Sequence, residues 1–416
     1  MRILCIYFQT DINMRNTVKE HLYSFKIYSD AECYYLNAAN GVPRYIDKIR
    51  FDLIVYHYTF LALKWDINEF ENFQKKCFRL KYLSGYKIAF PQDEYIHSAA
   101  VSNFFKEFSI KTVFTCLPLS ECKKVYNPQE SGLDNYFTVL TGYVHSEAVK
   151  RYSDKALPIS KRKIDVGYRG RKVPFWLGQQ GQIKWQLADR FKEILAGQND
   201  LRYDISCDRR DEITGDAWYE FLSRCRVILG CEGGASLHDP TGEIRARVEH
   251  FLHRYPFASF QEVQAKCFAG GDRNLNLRAL SPRHFECCVT RTCQALVEGD
   301  YGGIFKPDVH YIEIRKDWSN LEDVLRKIKD VKYCQEIADN AYRDIVETGL
   351  YSYEKFIEQV MNSIRKELIH TSALNDNNLK DLKRLRIREQ LNPLFLYYLS
   401  PYYKLRGVLK KLRNLR

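Results

Sequence analysis

A chain of 416 residues, 45% hydrophobic and 28% charged, is long enough for two domains with separate cores and too apolar to be disordered. Its thirteen cysteines are scattered and include no C-x-x-C pair, which points to free thiols of a reducing compartment rather than a disulfide framework. The net charge of +12 is concentrated: eleven Lys or Arg and two acids lie between Lys380 and Arg416, leaving 53 basic and 50 acidic residues elsewhere, so the body is nearly neutral and shows no basic face for nucleic acid.

The chain opens on MRILCIYF, which carries one charged side chain and no small-residue cleavage site, so no secretory signal is expected. No apolar run reaches the roughly 18 residues that would suggest a membrane span. In chain order, RILCIYF (2–8), FDLIVYHY (51–58), YKIAFP (86–91), TVFTC (112–116) and YFTVLTGY (136–143) read as strands closed by polar or turn residues. Thr17 followed by Glu20 has capping-box spacing and predicts a helix with Leu22 and Phe25 on one face. Strands alternating with helical stretches predict βαβ units and a parallel sheet over residues 1–152. No G-x-G-x-x-G follows the first strand, so a dinucleotide fingerprint is absent there.

SDKALPISKRK (153–163) reads as an interdomain linker. A second α/β unit is then expected over 164–367. IDVGYRG (164–170), LRYDIS (201–206) and RVILGCEGG (226–234) are its strands, with helices over 181–197, around Trp218–Cys225 and over 241–256. Ser281 caps a further helix, CQALVEG is a strand, and EGDYGGIF is a glycine loop. Residues 320–367 are helical by pattern. From 379 the chain becomes basic and Leu-rich, and Leu405, Val408, Leu409, Leu412 and Leu415 form a stripe at helical spacing among Lys and Arg.

Four stretches offer what a nucleotide diphosphate needs, namely close backbone approach, helix N-termini and cations. GYRGR supplies Arg169, Gly170 and Arg171, and Lys184 follows on the next helix. GCEGGASLHD supplies Gly233, Gly234 and Ser236. Ser281 and Arg283 stand at the start of a helix on which Glu286 shares a face with Arg283. EGDYGGIF supplies Glu298 and Tyr301. In the first half, PQDEY and the His that follows place Asp93, Glu94 and His97 at a strand end, where a general base for an acceptor hydroxyl is expected. His250 and His253 lack further ligands at suitable spacing and no D-x-D occurs in the loops, so neither a metal site nor a cofactor is expected.

The segments DVGYRGR, WLGQQGQIKW, YDIS, GDAWYEFL, RVILGCEGGASLHDPTGE, SPRHFE, TCQALVEGDYGGIFKPDVHYI and KDWSNLEDV, with YSYEKF further on, resemble the GT-B glycosyltransferases. The likeness is to the family 1/4-like branch with spore-coat-type and surface-polysaccharide enzymes, and it covers 164–330. It implies an α/β fold of two Rossmann-like domains facing a central cleft. It also implies a nucleotide-sugar donor on the second domain, an acceptor on the first, and metal-independent transfer with retention favoured. By resemblance Arg283 and Glu286 meet the diphosphate and donor sugar, with Glu286 catalytic, and Glu298 holds the ribose. The chain departs from the retaining pattern in having Gln294 where a second glutamate is usual and Arg291 where a glycine is usual.

The basic, aromatic tail over 380–416 is expected to meet an anionic membrane surface. The expectation is a cytoplasmic enzyme, peripheral at the inner face of the membrane, that passes a sugar to a lipid-linked glycan in surface-polysaccharide synthesis. The principal alternative is a catalytically inactive GT-B subunit that scaffolds a partner transferase.

Overall fold

The structure, a computed structural model, describes residues 1–368, 378–398, 400, 401 and 403. The Leu405–Leu415 stripe lies outside the described residues. The chain forms two compact units: Met1–Thr115 with Cys122–Thr138 and Ile357–Arg416, and Val139–Phe356 with Cys116–Glu121.

The first unit holds β1 (Arg2–Tyr7), β2 (Glu32–Asn37), β3 (Leu53–Tyr56), β4 (Tyr86–Ala89), β5 (Thr112–Thr115) and β6 (Asn135–Thr138) in one sheet of order β2-β1-β3-β4-β5-β6. All its pairings are parallel, with Ile3 opposite Leu53 and Cys5 opposite Val55. Buried on both faces, the central strands read as unbroken apolar runs, as ILCIY and LIVY do. Five of these strands were legible in the sequence; β2, the edge strand ECYYLN, was not.

The helix Asn16–Tyr28 buries Leu22 and Phe25 as expected. Its capping position is Arg15, and no side chain caps it, so the Thr17–Glu20 capping box does not form. The edge strand is covered by the helix Leu379–Gln390, which buries Leu382 and Leu385. Arg386 pairs with Glu32, and Arg388 donates to the Gly41 carbonyl at 2.9 Å. The start of the basic tail is therefore part of this unit rather than a free amphipathic arm.

The second unit contains β7 (Ile164–Arg169), β8 (Tyr203–Ser206), β9 (Cys225–Gly230), β10 (Gly233–Ala235), β11 (Leu277–Ala279), β12 (Cys293–Val297) and β13 (Ile312–Ile314). Five of them make a parallel sheet of order β13-β12-β9-β7-β8, while β10 and β11 pair as an antiparallel ribbon. Val166, Val227, Leu229 and Ala295 pack against Leu187 and Phe191 of the helix Gly178–Leu195 and against Ile337 and Ala338 of the helix Val331–Ala341.

The 153–163 stretch does not join the two units but lies within the second. Ile159 lies in the core of the second unit, and Arg162 is 2% exposed. The Arg162 guanidinium donates to the carbonyls of Leu157, Cys225, Thr290 and Arg291 and to the Thr292 hydroxyl. Burial lowers its pKa to about 10, so it stays charged at neutral pH. The units part near 138 and 356 instead. All thirteen cysteines are free, and among the described residues no helix is long and apolar enough to cross a membrane.

Candidate functional site

In a parallel sheet the carboxyl ends of the strands carry the ligand-facing loops. In the second unit the ends of β7, β9 and β12 gather polar side chains around the helix Pro282–Val289. Ser281 occupies the capping position of that helix, and its hydroxyl makes no capping bond. Arg283 extends from the first turn and lies 5.4 Å from the Tyr168 ring centre and 5.2 Å from that of Trp218. It also donates to the Arg169 carbonyl at the end of β7. Two aromatic faces and one carbonyl fix the guanidinium without neutralising it, and among the described residues it forms no ion pair.

One turn on, Glu286 accepts a hydrogen bond of 2.6 Å from the Trp218 indole. Burial raises its pKa, and the Trp218 bond and the Arg283 charge oppose that rise. Trp218 thus spaces the acid from the cation while touching both.

The four cations expected at the diphosphate divide into two pairs. Arg169 is held by Asp204 at 2.8 Å and covers the Phe221 ring at 4.5 Å. Arg171 pairs with Glu212. Arg169 is occupied inside the fold, whereas the Arg171 pair lies at the surface. Lys184 and Arg283 have no carboxylate partner among the described residues. The Lys184 ammonium sits 4.0 Å from the point where a Gly233 Cβ would be, and both cations act on the buried Cys231 thiol that follows β9. Arg283 thus stands at the end of β7, and Lys184 stands beside the start of the β10 strand that follows β9. Gly170 is a packing glycine, because a Cβ there would meet the Tyr168 ring at 2.6 Å.

Gly233 and Gly234 do not form an open loop; they are residues of β10. Gly234 has φ +99°, and a Cβ on it would stand 2.0 Å from the Leu277 carbonyl. Only glycine fits that close ribbon. Ser236 donates to Asp272 at 2.6 Å and accepts from the Gln180 N–H at 3.1 Å, while Asp272 accepts from the Gln179 N–H at 3.0 Å. The first turn of the helix Gly178–Leu195 is thus closed by protein groups, and Ser236 is committed to that cap.

Glu298 is half-exposed at the end of β12, with Lys316 at 3.9 Å. Tyr301 is wholly buried, and its hydroxyl donates to the Val297 carbonyl at 2.5 Å, so it presents no polar atom to a ligand. Its backbone N–H is taken by Glu232 at 2.8 Å, a buried acid that sequence reasoning passed over. The informative signal for Glu232 was its place directly after a strand and before two glycines. Among the described residues no group of three or more His, Cys, Asp or Glu side chains is placed to hold a metal ion.

No protein-family profile and no curated protein matches the chain. Among solved structures, an α-glucosyltransferase in complex with UDP and a 13-mer DNA containing a HMU base superposes with a TM-score of 0.50. It is 10% identical, over 87% of this chain and 98% of its own. The chain has the GT-B fold. HepE from Anabaena in complex with UDP-glucose aligns at TM-score 0.43, 12% identity and 88% and 100% coverage. TarM aligns at 0.38, 10% identity and 74% and 54% coverage.

The other Rossmann-like unit of this GT-B chain has its own polar cluster at the ends of β3 and β4. Asp93 is exposed, and it and His97 hold left-handed backbone conformations, with φ +53° and +52°. Glu94 between them is fully buried, accepts from the Thr115 hydroxyl, and is pushed up to about 7 by burial. The buried His21 and His57 rings meet at 3.1 Å, and burial depresses both, His21 to about 3. The sequence offered no cue for that pair, since His21 lies on a helix and His57 ends a strand 36 residues later.

Proposed function

We propose that this chain is a glycosyltransferase that moves a sugar from a nucleotide-sugar donor, bound by the second unit, to a glycan acceptor recognised by the first. The observation that carries the reading is the pair Lys184 and Arg283, two cations without carboxylate partners among the described residues, set where the chain leaves β7 and enters β10, with Glu286 one turn along the helix from Arg283. When the anomeric C–O bond breaks, negative charge builds on the leaving diphosphate. Fixed cations and a helix N-terminus stabilise that charge with little reorganisation, and no metal is needed in this reading. Glu286, spaced from Arg283 by the Trp218 indole, is the carboxylate available to the donor sugar. Glu298 is available to the ribose hydroxyls.

We further infer a lipid-linked acceptor in cell-surface polysaccharide synthesis, with the protein peripheral at the inner membrane face. Ile387, Leu391, Leu394, Phe395 and Tyr398 recur at helical spacing and are all exposed. A stripe of that kind beside the exposed Lys383 and Arg384 suits the boundary of an anionic bilayer.

The test is a thermal-shift screen with UDP, GDP, TDP and CMP sugars, because a bound donor raises the melting temperature by mass action. One class of sugar nucleotide is expected to shift the wild type. Arg283→Ala is expected to melt as the wild type does alone and to lose the shift. No response to any of them, or an undiminished response in Arg283→Ala, would sink the reading.

A further inference from the structure

The second unit contains a cavity of about 510 Å³ beside the β10–β11 ribbon, within the range of small-molecule sites. Three cations line it, Arg273, Arg278 and Lys316, together with the amides of Gln179 and Gln186 and the indole of Trp318. No acidic residue is among its lining. All three cations are exposed to solvent around this concavity, and a cluster of one sign lining a concave surface attracts an anion.

The cations are only weakly answered from outside the cavity. Arg278 lies 3.7 Å from Glu232 and Lys316 lies 3.9 Å from Glu298, both longer than a hydrogen bond. Arg273 has no ion pair among the described residues; its side chain donates to Gln179 at 3.3 Å. Its backbone is held at φ +67°, a conformation that costs a non-glycine residue energy and that persists where the surroundings enforce it. Here Asp272 enforces it, accepting the Arg273 N–H at 2.9 Å while it closes the helix Gly178–Leu195. The arginine side chain turns toward Gln179 on the cavity wall.

We propose that this cavity binds the anionic group of an acidic sugar, a carboxylate or a phosphate, with Arg273 and Arg278 as its principal ligands and Trp318 against the apolar face of the ring. The inference rests on the second unit being the donor unit, since Ala235 and Ser236 of the ribbon also line the cavity. The charged sugar is either the one carried by the donor or one carried by the acceptor.

Isothermal titration of the full chain separates these sources. In the donor arm, UDP-glucuronate is expected to bind at least tenfold more tightly than UDP-glucose. In the acceptor arm, glucose 6-phosphate is expected to bind in the presence of UDP where glucose does not. In whichever arm shows the preference, Arg273→Ala abolishes it and Arg273→Lys retains part of it. The nucleotides alone report on the donor reading: if none of UDP, GDP, TDP and CMP binds, that reading falls, and glucose 6-phosphate and glucuronate against glucose still report on the cavity. The inference is overturned if neither arm distinguishes charged from neutral sugar. It is equally overturned if Arg273→Ala leaves the preference intact, or if inorganic phosphate binds as tightly as glucose 6-phosphate.

Discussion

Replacing Arg162 by methionine should loosen the second unit where the candidate site is built. The guanidinium joins three places: the start of β9 through the Cys225 carbonyl, the residues after the helix Pro282–Val289 through Thr290 and Arg291, and the approach to β12 through Thr292. Methionine fills similar space and donates nothing. The Leu157 carbonyl can turn to water, since Leu157 is 49% exposed, and the Thr292 hydroxyl keeps a bond to Leu222 at 3.0 Å. The carbonyls of Cys225 and Arg291 lose the guanidinium and that of Thr290 keeps only the Thr292 hydroxyl at 3.5 Å, and each such buried group costs about 1 kcal/mol at the low end. The low end applies because the variant no longer has to bury a charge. The expected loss is about 3 kcal/mol in the local opening free energy, or roughly a hundredfold faster amide exchange over β9 and the helix Pro282–Val289. Exchange in β1 and β3 of the first unit should not change. Native-state hydrogen exchange measures both together. Less than a fivefold acceleration in the second unit, or equal acceleration in both units, would refute the argument that this one side chain clamps the site.

Gly234→Ala places a Cβ 2.0 Å from the Leu277 carbonyl at φ +99°, whereas Gly270→Ala at φ +71° meets nothing within 4 Å. The second should cost about 1 kcal/mol and the first clearly more, read as shifts in urea midpoint. Glu94 is raised to about 7 from an ordinary 4.5, so its neutral form is the one the fold favours. Below pH 4.5 it carries no penalty in either state, and as pH rises towards and past 7 the fold loses stability, by up to about 3 kcal/mol. Wild-type stability should therefore fall between pH 5 and 8, and Glu94→Gln should flatten the profile; parallel profiles would refute this. Converting Leu391, Leu394 and Phe395 to serine should reduce co-sedimentation with phosphatidylserine vesicles several-fold without lowering the melting temperature. Unchanged binding would exclude that stripe as the membrane contact.

Most of the strands that could be read from sequence are buried on both faces and so must be apolar throughout, whereas β6 and β8, which are only partly buried, were legible from their aromatic and β-branched residues. RILCIYF and CQALV announce themselves. The edge strand ECYYLN has a polar start and relies on the helix Leu379–Gln390 for cover, so the information that makes it a strand lies some 350 residues away. The β10–β11 ribbon was illegible for the opposite reason. Two glycines at a strand end signal a loop by composition, yet here they permit a second strand to approach closer than any side chain allows. The basic stretch at 153–163 misled because Lys, Arg and Ser usually mark solvent. Its one decisive arginine is satisfied almost wholly by backbone carbonyls, and carbonyls leave no trace in composition.

For the candidate site, the sequence named four cations but not their availability. Arg169 and Lys184 look alike in sequence, and Arg169 stands in the more suggestive motif. Asp204 and Glu212, each more than thirty residues away, pair with Arg169 and Arg171, the first inside the fold and the second at the surface, while among the described residues no such partner reaches Lys184. Arg283 keeps its charge for a different reason. Its neighbours Tyr168 and Trp218 hold it by their ring faces, and rings position a guanidinium without cancelling it. Glu286 could have paired with it from three residues along the same helix, and the Trp218 N–H accounts for why it does not. What distinguishes a binding cation from a structural one in this fold is therefore the identity of its nearest neighbour. An aromatic neighbour leaves both the arginine and the acid beside it free to meet a substrate, so Trp218, which contacts both, is the residue on which the competence of the pair depends.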